Sequence, residues 1–159
     1  MEKIYILYGT QNGNSEEISR NIYQLLIEKK YDCKLMSLNE TIENDTFSFI
    51  KDEEFYTIII VCSTTGNGDA PETANIFWRK LKNRKLSKNL LEKNEYAVLG
   101  LGNTNFDQFC QMGKNLDKRF YELGAKRIIE LHCLDEATSD EEETIELFIE
   151  KIIKYLLNK

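Results

Sequence analysis

The sequence predicts an α/β protein: a doubly wound, five-stranded parallel sheet in the order 2-1-3-4-5 with helices on both faces. Two observations carry this reading. Five short apolar runs rich in β-branched or aromatic residues alternate with helical patterns along the chain, and repeated strand–helix units make parallel strands joined by right-handed crossovers. Three of the runs are nearly continuous in apolar residues, as strands buried on both faces are.

In chain order the strands are "KIYILY" (3–8), "CKLMSL" (33–38), "YTIIIVC" (56–62), "YAVLGL" (96–101) and "RIIELHC" (127–133). Helical faces lie between them. Ile18, Ile22, Leu25 and Leu26 share one face of 15–30, where Asn14 and Glu17 form a candidate capping pair. Ala74, Phe77, Trp78 and Leu81 follow Pro71, a residue suited to a first helical turn. Met112, Leu116, Phe120 and Leu123 mark a third helix ended by Gly124. Ile145, Phe148, Ile149, Ile152, Ile153 and Leu156 mark the last. Residues 39–54 read as irregular with a short helix around Phe47–Ile50, and 84–94 as a basic connector.

A chain of 159 residues with one proline and eight glycines is expected to form a single domain, 1–159, without long linkers. Its net charge of -6 disfavours a nucleic-acid partner. The same charge suits a basic partner protein, and equally serves only to keep a small domain dispersed. Cys33, Cys62, Cys110 and Cys133 form no CxxC pair, and three of them lie in apolar runs as small hydrophobes. His132 is the only histidine and reads as structural, so no metal site is expected. Free thiols, no signal-like start and no apolar run of membrane length lead to the expectation of a cytoplasmic monomer.

In this topology ligands sit beyond the carboxyl ends of strands one, three and four, where strand order reverses. The first loop there, "GTQNGNS" (9–15), lacks the lysine of a GxxxxGK[ST] phosphate loop. Its hydroxyls and amides, with the N–H groups of a helix N-terminus, suit a single terminal phosphate or a polar cap. The second, "STTGNGD" (63–69), places Gly66 and Gly68 where a backbone can approach a flat ligand. The third, "GLGNTNFDQF" (100–109), carries Phe106 among polar residues, better placed to stack than to fill a core.

Together these loops, with "GKNLDKRFYELGAKRIIEL" and Asp135, resemble the FMN-binding module of the flavodoxin-like family over nearly the whole chain. The resemblance is closest to the FMN domains of diflavin reductases. Within these, "FWRKLKNRKLSKNLLEKNEYAVLGLG" is most similar to the NADPH-dependent diflavin reductases of cytosolic iron–sulfur assembly, then to methionine synthase reductase.

The resemblance implies FMN as cofactor, its phosphate held by Thr10, Gln11, Asn12, Gly13, Asn14 and Ser15. Ser63, Thr64, Thr65 and Gly66 would pass one side of the ring. Leu101, Gly102, Asn103, Thr104, Asn105, Phe106, Asp107, Gln108, Phe109 and Cys110 would wrap the ring and ribityl chain. Asp135 matches an acidic residue important for electron transfer, and the Gly66 carbonyl is expected to turn toward flavin N5–H. Asn12 stands where threonine is usual, Thr65 where many relatives have tyrosine, and Phe106 where tyrosine is commoner. The tryptophan often seen in the last helix is absent from "FIEKIIKYL".

The implied function is one-electron transfer, from an FAD- and NADPH-binding reductase module to a protein acceptor such as an iron–sulfur or haem protein. The acids Asp69, Glu72, Asp107, Asp135 and Glu136 would disfavour an anionic reduced flavin, and Asp135, Glu136 and Asp140–Glu143 suit docking of a basic partner and equally read as a solvated helix N-terminus favoured by its dipole. The chain reads as a free-standing carrier or as one domain of a longer diflavin enzyme. A receiver domain is excluded because Cys62-Ser63-Thr64 replaces its aspartate, and neither a GTPase P-loop nor a Cys-x5-Arg phosphatase loop is present. The remaining alternative is a flavin-free acidic interaction module on the same scaffold.

Overall fold

The computed structural model describes residues 3–50 and 55–159. Its central sheet is built from β1 (Lys3–Gly9), β2 (Asp32–Ser37), β5 (Tyr56–Cys62), β6 (Asn94–Gly102), β7 (Lys126–Arg127) and β8 (His132–Asp135). A small antiparallel pair, β3 (Ile42–Glu43) and β4 (Thr46–Phe47), lies outside it. The order is β2-β1-β5-β6 followed by β7 and β8, with every pairing in the main sheet parallel. This is the order expected from the sequence, with one difference at the far edge.

That edge is not one strand. Between Tyr96↔Arg127 and Leu99↔His132, four residues of the edge segment lie against two of β6. The surplus leaves 128–131 outside the ladder, although Ile128 N still bonds Tyr96 O at 2.9 Å. The apolar run "RIIELHC" is continuous in sequence, but an edge strand tolerates a local bulge that a central one does not.

The central strands β5 and β6 are buried along their whole length because helices cover both faces. On one face α1 (Asn14–Glu28) and α4 (Glu141–Leu157) pack Ile18, Ile22, Phe148 and Ile152 against Ile4, Ile6, Val61 and Leu99. On the other, α2 (Asn75–Leu81) and α3 (Gln111–Glu122) pack Phe77, Leu81, Leu116 and Phe120 against Leu7, Ile58, Ile60 and Val98. Each such side chain stabilises the fold by about 1.5–3 kcal/mol relative to exposure.

The stretch expected to be irregular closes this second core. Phe47 and Phe49 stack at 5.5 Å and meet Phe77 edge-on and tilted. The short helix expected there is a 3₁₀ turn at Ser48–Ile50; residues 51–54 lie outside the described residues. The helix after Pro71 opens with a 3₁₀ turn, Glu72–Ala74, before α2.

Candidate functional site

All three loops singled out in the sequence meet at the carboxyl end of the sheet. The first is held from within and from the side. Thr10 Oγ1 accepts from Gly13 N at 2.7 Å, curling the loop, and Thr10 N donates to Thr73 Oγ1 at 2.8 Å. Gly13, at φ 93, occupies the N-cap position of α1. No side chain caps the helix, so the expected Asn14–Glu17 capping pair does not form. Asn14 is instead the first helical residue and faces a cavity. The first-turn N–H groups have no carbonyl partner one turn back and point toward the loop. Gln11 Oε1 accepts from Glu72 N at 2.8 Å, which ties the first loop to the chain leading into α2.

Loop two leaves β5 in register, with Ser63 N donating to Gly9 O at 2.9 Å. Ser63 and the buried Ser15 share a hydroxyl–hydroxyl bond of 2.6 Å, joining this loop to α1. Thr64 Oγ1 accepts from Met112 N at 3.0 Å, satisfying one of the orphan donors of α3. The rest is a closed turn in which Thr65 and Asp69 exchange backbone bonds of 2.9 and 2.8 Å. Gly66 sits at its turn with φ 48, and a Cβ there would find only Asp69 Oδ2, at 3.8 Å.

Loop three is fastened at two points. Asp135 accepts from Thr104 N at 3.1 Å, Thr104 Oγ1 at 2.6 Å and Ala137 N at 2.9 Å. The bond from the Thr104 hydroxyl is the main reason its carboxyl is held below the usual aspartate range. At the other end Gly102 allows Cys110 N to lie 2.5 Å from where a Cβ would be, and Cys110 turns the chain into α3 at φ 56. Between these anchors Phe106 is 65% exposed, so it fills no core.

The loops enclose a cavity of about 630 Å³. Gln11, Asn12 and Asn14 line it from loop one. Ser63, Thr64, Thr65, Gly66 and Asn67 line it from loop two. Gly102, Asn103, Phe106 and Gln108 line it from loop three, and Glu136 closes it beyond β8. The remaining expected residues stand behind this wall. Thr10, Gly13, Ser15, Leu101 and Cys110 shape the loops, and Asp135 fastens loop three. Thr104, Asn105, Asp107 and Phe109 belong to loop three away from the lining.

Of the acids expected around the site, Glu136 alone is a wall residue. Burial, then Glu141 and Asp135, push its carboxyl up. Sequence reasoning missed Asn67 and Thr73 as contributors. Asn67 was legible as the tip between two glycines, whereas nothing in the sequence ties Thr73 to Thr10.

The flavodoxin family model matches residues 6–148 of this chain. The chain belongs to the flavodoxin family. It is 33% identical to bovine methionine synthase reductase over 156 residues, 98% of this chain and 21% of that protein. To NADPH-dependent diflavin oxidoreductase 1 of Arabidopsis thaliana it is 37% identical over 128 residues, 80% of this chain and 20% of that protein. It thus spans about a fifth of the length of these relatives. Among solved structures, oxidised flavodoxin 2 from Bacillus cereus superposes with a TM-score of 0.75 at 26% identity, covering 99% of each chain. A cysteine-to-serine variant of Pseudomonas aeruginosa flavodoxin gives 0.77 at 22% identity, over 97% of this chain and 98% of that one.

The cofactor of the flavodoxin family is FMN, and the residues present fit it. The volume lies within the roughly 300–1,000 Å³ usual for such sites. Among the described residues the donor set at the phosphate end is neutral: hydroxyls, amides and a helix N-terminus, with no lysine or arginine on the wall. That set suits one phosphate, since a polyphosphate would call for added positive charge. Phe106 offers an exposed ring to the cavity, and Thr65 and Gly66 line it as well.

Proposed function

We propose that this chain carries electrons one at a time through FMN, from an FAD- and NADPH-binding reductase module to a protein acceptor. The observation that carries this reading is the three-loop cavity with a neutral phosphate end and an exposed aromatic wall. The flavin would supply the redox chemistry; the chain sets its orientation and field. The α1 N-terminus and the Thr10–Ser15 hydroxyls and amides would hold the phosphate. Phe106 would stack on the ring, and Gly66 would aim its carbonyl at the ring edge.

Glu136 would act through its charge. A carboxylate within several ångströms of a developing negative charge is worth about a kcal/mol or more at an effective dielectric near 20, which favours electron release.

Beside the cavity lies an acidic edge. Asp140 is the N-cap of α4, Glu141, Glu142 and Glu143 fill its first turn, and Glu136 lies within reach of Glu141. We assign this edge to docking a basic partner. The helix dipole accounts for acids at this position as well, so the two readings part on salt. Docking predicts an electron-transfer rate that falls steeply with ionic strength.

The test is the visible spectrum of the purified protein during stepwise anaerobic reduction. Two flavin bands that bleach in two separable one-electron steps support the proposal. A colourless protein that also refuses added FMN would leave a flavin-free acidic module.

A further inference from the structure

A row of the sheet just beneath the cavity alternates glycine and cysteine. Gly9 pairs with Cys62, Cys62 with Gly100, and Gly100 with Cys133. Two cysteine sulfurs, those of Cys62 and Cys110, fill the space of missing side chains in this layer. The Cys62 sulfur lies 2.7 Å from where a Cβ on Gly9 would stand, and a Cβ on Gly100 would collide with the Cys110 sulfur. In-register partners on parallel strands point to the same face of the sheet and lie about 4.8 Å apart. The Cys110 sulfur above Gly100 is therefore set beside Cys133.

We propose that Cys110 and Cys133 form a reversible disulfide on exposure to hydroperoxide, a redox latch on the third cavity loop. The two thiols differ in access. Cys133 is half-buried on the edge strand, whereas Cys110 is fully enclosed. The neighbouring Cys110 thiol, with Lys114 and against burial, holds the Cys133 thiol below its usual range, while Cys133 and burial push Cys110 up.

Cys133 is thus the first nucleophile. Its thiolate attacks one peroxide oxygen, the O–O bond breaks, and the departing hydroxide takes up a proton to become water. Cys133 is left as a sulfenic acid. The Cys110 sulfur then displaces hydroxide from it, forming the S–S bond, and the Cys110 proton completes a second water. Two thiols lose two electrons and two protons, and one peroxide becomes two waters. Cys62 is excluded as the partner: it is fully buried, covers Gly9 and directs its S–H to Ser63 O at 3.4 Å.

The position gives the bond its consequence. Cys110 ends loop three and opens α3, whose Met112 N is held by Thr64 of loop two. Closing the sulfurs to bonding distance draws that junction toward β8, and both loops move with it. The effect on FMN rests on the reading proposed above; the thiol chemistry does not.

The experiment treats the reduced protein with hydrogen peroxide, alkylates it, and maps peptides without reductant. The expected product is a single Cys110–Cys133 cross-link lighter by two hydrogens, reversed by dithiothreitol, with Cys33 and Cys62 still alkylated. FMN titration should then show affinity weakened by about fivefold or more. Affinity in Cys133→Ser should be unmoved by peroxide. Four free thiols, a Cys62–Cys110 link, or an oxygenated Cys133 without a cross-link overturns the thiol pair. A cross-link with unchanged FMN affinity overturns the latch. A reduced protein that binds no FMN overturns the cofactor reading, while the peptide map still decides the pair.

Discussion

Asp135 and Gly66 show how differently two residues expected at one site are used. Asp135 spends its carboxylate on Thr104 and Ala137, so its first duty is to fasten loop three. Its carboxyl titrates lower in the folded protein than in the unfolded chain. The contribution is therefore present above the unfolded value near about pH 4 and is lost as pH falls through the lower folded value. Asp135→Ala should speed amide exchange at Thr104 and Asn105 at neutral pH while leaving β6 protected. Unchanged exchange at Thr104 would remove the fastening role.

Gly66 needs a positive φ but little space. Gly66→Ala should destabilise the FMN-free protein by about 1 kcal/mol through backbone strain, measured by urea unfolding. It should also narrow the gap between the two one-electron potentials of the loaded protein. Strain without a change in potentials would leave Gly66 a turn residue only.

Among the elements, α3 and β6 approach closely through two glycines. Gly100 and Gly113 face each other, a Cβ on Gly113 falling 2.7 Å from Gly100 Cα, and the Cys110 sulfur fills the remaining space. Gly100→Ala should cost about 1–3 kcal/mol by overpacking and should displace the α3 N-terminus from Thr64. Urea unfolding reads the first effect, and amide exchange at Met112 the second. A neutral substitution would show that the helix can slide without loss. Of the elements, four helical faces and the five runs were legible because their periods are local, set by neighbours within a turn or a strand. The division of the edge run into β7 and β8 was not, because register is decided against β6, thirty and more residues away.

At the scale of the molecule the two ends of the sheet divide the work. The carboxyl end holds the cavity, and the amino end holds a buried carboxylate. Glu95 is 1% exposed and accepts from Thr57 Oγ1 at 2.9 Å, Tyr155 OH at 2.6 Å and Lys159 Nζ. Burial pushes its carboxyl up, but the three donors outweigh this and hold it below the usual range. The network joins α4 to β5 and β6, so its loss should be felt globally. Its stabilisation is present above the unfolded glutamate value near about 4.3 and disappears as pH falls through the folded value. Tyr155→Phe should lower stability by about 1.5–3 kcal/mol, and the acid limb of Tm against pH should shift upward. A parallel displacement of the whole curve would mean that the hydroxyl does not support the charge.

The sequence by itself determined the parallel α/β architecture, its strand order, the four helical faces and the three loops that meet over the switch point. These follow from local periodicity and from the handedness of the crossovers. Tertiary structure alone decided that Asp135 anchors a loop, that of the expected acids only Glu136 lines the cavity, and that Cys110 lies beside Cys133. It likewise decided that Thr73 holds Thr10 and that Glu95 meets three donors. Each of these depends on which residues distant in the chain share a row of the sheet or a loop edge, and no run of neighbours encodes that pairing.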